Sequence, residues 1–183
     1  MVLGLFRSLR SVPQADSIYA ELMAASRQPG FYADLGVPDT MTGRFDMLVL
    51  HVFLFTHRIR DRQQLRDLGQ EVFDNFFNDL DASLREVGIG DLTVPKRLKK
   101  MANSFYGQVQ VYGEPIETGD EQALAAALAR NLKQGDQEGG IRTQAIARYM
   151  ITSDRHLDNV TDEEIAKGKI SFPSLEAVGS QSS

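Results

Sequence analysis

Residues 63–87 read QQLRDLGQEVFDNFFNDLDASLREV, and this stretch decides the fold class. Leu65, Leu68, Val72, Phe73, Phe76, Phe77, Leu80, Leu84 and Val87 recur at spacings of three and four. That is the period of one helix face, kept up here for about seven turns. The opposite face carries Asp67, Glu71, Asp74, Asp81 and Arg85, and Gly88 follows as a residue able to take the left-handed conformation that ends a helix. A helix with so apolar a stripe needs other helices to cover it. The expectation is an all-α fold: a single compact multi-helix domain of about six or seven helices with a flexible C-terminal tail.

Downstream the charge reverses. Between Asp61 and Asp91 three arginines stand against eight acids, whereas from Leu92 to Gly113 the cations Lys96, Arg97, Lys99 and Lys100 meet no acid at all. Thr93 and Pro95 open a second helix there, with Leu98, Met101, Ala102, Phe105 and Val109 as its inward stripe and Gly113-Glu114-Pro115 as its break. Cations in the first turns of a helix oppose its dipole, at a cost of a few tenths of a kcal/mol each. A binding face for an acidic protein, a ribosome or a lipid headgroup would explain them. So would a solvated face paired with the acidic helix before it, and a catalytic lysine is a third reading. Phe105 fits the inward stripe, Tyr106 points elsewhere, and Gly107 in mid-helix suggests close packing, a kink or the approach of a partner. The candidate partner or client face is Lys96, Arg97, Lys99, Lys100, Phe105, Tyr106 and Tyr112.

Upstream, Thr40 or Thr42 opens a helix to about Arg60 that is apolar on more than one face, through Phe45, Leu48, Val49, Val52, Phe53, Phe55 and Ile59. Such a helix belongs at the centre of a bundle. After Pro13, Asp16 or Ser17 caps a helix to about Gln28, which Pro29-Gly30 stops. Asp120 caps residues 121–133, residues 141–158 form a further helix, and Thr161 to Glu164 is a capping box. Residues 1–12 form an amphipathic segment, 13–170 the helical domain and 171–183 the flexible tail. In the first segment Leu5, Phe6 and Leu9 share a side, with Arg7 and Arg10 away from them, a pattern that suits an anionic membrane surface.

Composition narrows the function. The chain has 183 residues, a net charge of −5 and no cysteine. The acidic balance disfavours general nucleic-acid binding, and the missing cysteines exclude disulfides, thiolate metal sites and a cysteine nucleophile. No stretch is apolar for the roughly 18 residues a membrane span needs. Three histidines, with only His57 and Asp61 at helical spacing, fall short of a metal site, and neither a nucleophile elbow nor a phosphate loop is present. No cofactor is expected.

Leu50-His51-Val-Phe-Leu, Arg58-Ile-Arg60, Gln70-Glu71-Val-Phe-Asp74, Asp79-Leu-Asp81, Leu84-Arg85-Glu86-Val-Gly88-Ile-Gly90-Asp91-Leu92, Val94-Pro95-Lys96 and Phe105-Tyr106-Gly107 together carry a resemblance. The run from Leu48 to Tyr112 resembles the ubiquinol–cytochrome c chaperone family, bacterial relatives of the mitochondrial assembly factor cytochrome b protein synthesis factor 3. Phe53 and Phe77 stand where some relatives carry tryptophan, and Gln108 where arginine is common. The resemblance implies a non-enzymatic, all-helical chaperone that binds newly synthesised cytochrome b during biogenesis of the cytochrome bc1 complex. It adds the ribosome or a small partner protein as further partners, with no specific nucleic acid. It implies a place in the bacterial cytoplasm, with a peripheral contact to the inner membrane. Two other readings of the residues stay open: an enzyme acting on a lipid or isoprenoid headgroup through acids of the 63–87 helix, and a structural protein–protein interaction module.

Overall fold

A computed structural model describes residues 12–86, 88, 93–132 and 140–179. The segment with Leu5, Phe6, Arg7, Leu9 and Arg10 lies outside the described residues, as do Val87, residues 89–92 and 133–139, and the last four positions. Among the described residues there are six helices of eleven or more residues, three of five residues, and no strand. They are α1 (Pro13–Ser26), α2 (Pro29–Ala33), α3 (Met41–Ile59), α4 (Arg66–Glu86), α5 (Val94–Thr118), α6 (Glu121–Asn131), α7 (Thr143–Asp158), α8 (Asp162–Ala166) and α9 (Leu175–Gly179).

The axis of the bundle is α3. Every residue from Met47 to Phe55 is buried, because α1, α4, α5 and α7 pack around it. Thr40 caps it by accepting the Gly43 amide at 3.2 Å. Gly43 has a steric duty as well: a Cβ there would collide with the Pro38 carbonyl oxygen. α1 lies along α4, and α6 packs on both α5 and α7.

Several helix ends differ from the sequence expectation. α1 does end before Pro29, at Ser26, but Pro13 and Pro29 also each open a helix. Each occupies the first turn of a helix, where a missing N–H costs nothing. The 63–87 stretch opens with a 3₁₀ turn, Gln63–Leu65, before α4 begins. α5 runs through Pro115 to Thr118 instead of stopping at Gly113. The reason lies in packing: Tyr112 and Ile116 are successive buried anchors on one stripe, and together they hold the helix past the proline. The true end is Gly119, at φ 68°, with its amide donating to the Ile116 carbonyl and the Asp120 amide to that of Pro115. Asp120 then caps α6 through the Ala123 amide at 2.9 Å.

Two buried polar groups tie the ends together. Arg58 donates to the carbonyls of Leu157 (2.9 Å) and Val160 (2.7 Å) and to Asp162 Oδ1 (3.0 Å), joining α3 to the α7–α8 corner. His51 Nδ1 lies 2.7 Å from the Met47 carbonyl, which takes its proton, so Nε2 accepts from the Tyr149 hydroxyl at 2.9 Å. Beyond Ile170, Phe172 rests on the His51 ring, and Gln28 bonds both the Pro173 carbonyl and the Leu175 amide.

Candidate functional site

The N-terminal end of α5 is pinned by Val94, which packs with Leu80 and Leu84 of α4 and with Leu98 and Met101 of its own helix. At about 100° per residue this anchoring sorts the rest of the helix. Phe105 and Tyr112 turn inward, Lys96, Lys99 and Asn103 turn outward, and Arg97, Lys100 and Ser104 turn to one flank. All four cations are exposed. None makes an ion pair among the described residues, so pairing with the acidic helix does not account for them. Three of the six acids of α4 are engaged elsewhere: Asp81 with Arg85 (2.6 Å), Asp79 with the Tyr19 hydroxyl (2.9 Å) and Asp74 with Gln70 (2.8 Å).

The seven residues of the expected face therefore separate into three groups. Phe105 and Tyr112 are core residues, 3% and 0% exposed. Phe105 knits α5 to α4 through Phe73 at 5.3 Å, and Tyr112 meets Phe53 of α3 edge-on at 5.6 Å. Seven residues apart, both fall on the apolar stripe, and the stripe is what the helix buries. Tyr106, one residue further round, is 57% exposed and leans on the rings of Phe73 and Phe105. With Lys96 and Lys99 it stays outside. Only Arg97 and Lys100 reach a common cavity.

That cavity is a groove of about 1080 Å³ between α1, the start of α3, α4 and α5. Phe45, Leu48, Phe76, Leu80, Leu84 and Met101 form its apolar surface. Ser83, Ser104, Gln108 and Asn131 line its polar walls, and Arg27, Arg97 and Lys100 add positive charge. The acids lining it are Asp39, Asp46 and Asp79, and Asp39 is held by Arg44 at 2.6 Å. Beside Asn131 and Asp46 lies the buried Tyr112 hydroxyl, which makes no well-formed hydrogen bond among the described residues beyond its approach to the Asn131 side chain. Sequence reasoning missed Arg27, Phe45 and Asn131, because they come to the groove from separate helices and no local pattern links them to α5.

A second polar cluster occupies the far end of α3. His57 faces Glu117 at 4.0 Å rather than Asp61, and Arg60 reaches Glu117 at 3.0 Å. Burial pushes His57 below the usual histidine range. Burial, with Asp158 nearby, pushes Asp154 up to about 6. Among the described residues no three potential ligands form a metal-holding group, and no helix is long and apolar enough to cross a membrane.

Comparison with known proteins sets this geometry in a family. The structure resembles the crystal structure of the Cbp3 homolog from Brucella abortus, with a TM-score of 0.81 and 44% identity, over 90% of this chain and 91% of that one. The mitochondrial Protein CBP3 of Saccharomyces cerevisiae is 30% identical over 148 residues, which cover 78% of this chain and 44% of the yeast protein. Ubiquinol-cytochrome-c reductase complex assembly factor 1 of Xenopus laevis is 24% identical over 136 residues, covering 74% of this chain and 68% of that protein. The chain thus spans less than half the length of the yeast relative. The family model for ubiquinol–cytochrome c chaperones matches residues 33–172, which include α3 to α8 and most of the groove. This chain belongs to the ubiquinol–cytochrome c chaperone family.

Proposed function

We propose that this chain binds newly synthesised cytochrome b and holds it during assembly of ubiquinol–cytochrome c reductase, the cytochrome bc1 complex. Membership of an assembly-chaperone family supports the class of function. The observation that carries it into this molecule is the groove, an apolar floor flanked by Arg97 and Lys100, neither of which forms an ion pair among the described residues. Such a surface binds a partially apolar chain and keeps it from aggregating until other subunits cover it. In this reading the helical domain works at the cytoplasmic face of the inner membrane and carries out no reaction on its client. The outward stripe of Lys96, Lys99 and Tyr106 stays free for a ribosome or a small partner protein.

The test is genetic. Deleting the gene should lower assembled bc1 complex while other respiratory complexes persist, and normal bc1 levels would sink the proposal. Complementation sharpens it. The double variant Arg97→Glu/Lys100→Glu should fail to restore bc1, whereas Asp79→Asn should restore it fully. Asp79 is the α4 acid that lines the groove, so a headgroup-processing enzyme would need it. Loss of function in Asp79→Asn would shift the weight to catalysis.

A further inference from the structure

We infer that the groove is built for an amphipathic helix with acidic residues along one flank, and not for an apolar membrane span. The inference rests on the groove being the client site. Length sets the first limit. The α5 wall from Arg97 to Gln108 measures about 17 Å at the helical rise, room for about three turns of a docked helix. Chemistry sets the second. The floor is apolar in one strip, through Leu84, Leu80, Phe76 and Phe45, but Ser83 and Ser104 stand on the walls beside it. A span apolar on all sides would strip water from those walls and return no hydrogen bond, a costly exchange. A helix with one apolar stripe fills the strip and leaves the walls wet.

Charge sets the third limit and gives the occupant its sign. Four cations, Arg27, Arg44, Arg97 and Lys100, line the groove against three acids: Asp39, which pairs with Arg44, Asp46, which also has a partner within the chain, and Asp79, which keeps its charge while accepting from the Tyr19 hydroxyl. Arg27, Arg97 and Lys100 make no ion pair among the described residues. Arg97 and Lys100 lie in the first two turns of α5, where the helix dipole adds to their positive field. The occupant's carboxylates therefore belong at that end. In a multispanning client this describes an extramembrane amphipathic segment, so the chaperone shields a surface helix and leaves the spans to the bilayer.

The probes are two fluorescent peptides of about four helical turns, sharing one leucine–phenylalanine stripe and flanked by glutamate in one and lysine in the other. The full chain should bind the glutamate peptide at least about tenfold more tightly than the lysine peptide, and added salt should narrow the gap. Arg97→Glu/Lys100→Glu should invert the preference. Ser104→Trp, which fills the groove from an exposed wall position without touching the core, should weaken both peptides. Lys96→Glu/Lys99→Glu on the outward stripe should change neither. Equal binding of the two peptides overturns the inference, as does an equal loss in the outward-stripe variant. Displacement of the glutamate peptide by phosphatidylglycerol vesicles also overturns it, by making the occupant a lipid. A photo-crosslinker at position 104 in cells separates this inference from the client reading. A cytochrome b adduct alongside unselective peptides removes the acidic-helix inference and keeps the client, whereas no adduct together with normal bc1 in the deletion strain removes the client reading itself.

Discussion

Tyr112 brings a hydroxyl into the core whose approach to the Asn131 side chain falls short of a well-formed hydrogen bond, with no other partner among the described residues. An unpaired buried hydroxyl costs about 1–3 kcal/mol in lost hydration, so removing it relieves the fold. Tyr112→Phe should leave the unfolding free energy from urea titration unchanged or raise it by about 1 kcal/mol, and a clear fall would mean that the contact with Asn131 is a strong hydrogen bond. His51 sets a pH dependence of the opposite kind to Asp154. Burial holds its pKa down to about 4, against 6.5 when exposed. The unfolded chain therefore takes up a proton that the fold refuses, and stability falls as pH drops from about 6.5 towards 4. Asp154, raised to about 6 from 3.8, contributes stability that is complete below about 3.8 and lost as pH rises through 6. Denaturation midpoints measured against pH should show both effects. His51→Gln should flatten the acid slope, and Asp154→Asn should raise the unfolding free energy progressively above about pH 4, with the full effect reached above pH 6 and below about 1 kcal/mol because the carboxyl is half in solvent. These residues also explain part of the family-like sequence. His51 and Arg58, two of its distinctive positions, are structural ties between α3 and α7, with no place in the groove.

Among the elements, α5 repays attention because one helix does three jobs. Its inner stripe holds the core, one flank walls the groove and its outer stripe faces away. Gly107 sits on the exposed side, and a Cβ added there would meet nothing within 4 Å. Packing inside the chain therefore does not explain the glycine. Gly107→Ala should stabilise the isolated protein by about 1 kcal/mol, the ordinary helix-propensity gain, read as a rise in melting temperature. If a partner approaches that backbone closely, the same variant loses the partner while gaining stability, and this divergence is the thing to measure. The course of α5 through Pro115 shows why local signals misplace a boundary. Proline and glycine argue for a stop over three residues, but Tyr112 and Ile116 bury on either side of the proline, and their packing outweighs one missing hydrogen bond.

At the scale of the whole molecule the core is uneven. The large cluster around α3 takes in most of the bundle, while the α4–α5 end holds a small separate one of Leu80, Leu84 and Val94. Local opening should follow that division. Amides from Val94 to Met101 should exchange well before those of Leu50 to Phe55, and a bound groove ligand should slow the first set selectively. Uniform exchange across both would count against a movable groove wall. The helical class, the central place of α3, the acidic–basic corner and the capping residues Thr40, Asp120 and Thr161 were all legible in the chain, because each depends on residues within a few turns of one another. Periodicity states which face of a helix is apolar, and burial follows from that. The sequence also placed the basic patch in the right helix, but it could not divide the patch. Arg97 belongs to the groove and Lys96 does not, yet they are neighbours with the same chemistry, parted only by about 100° of helix. Which side of α5 meets a cavity depends on where α1 and α3 lie. The groove exists because Arg27 at the end of α1, Phe45 of α3, Leu80 of α4 and Arg97 of α5 arrive at one place. One-dimensional pattern determined the elements and their buried faces. The site was decided only by the packing, which brings residues distant in sequence to a single surface.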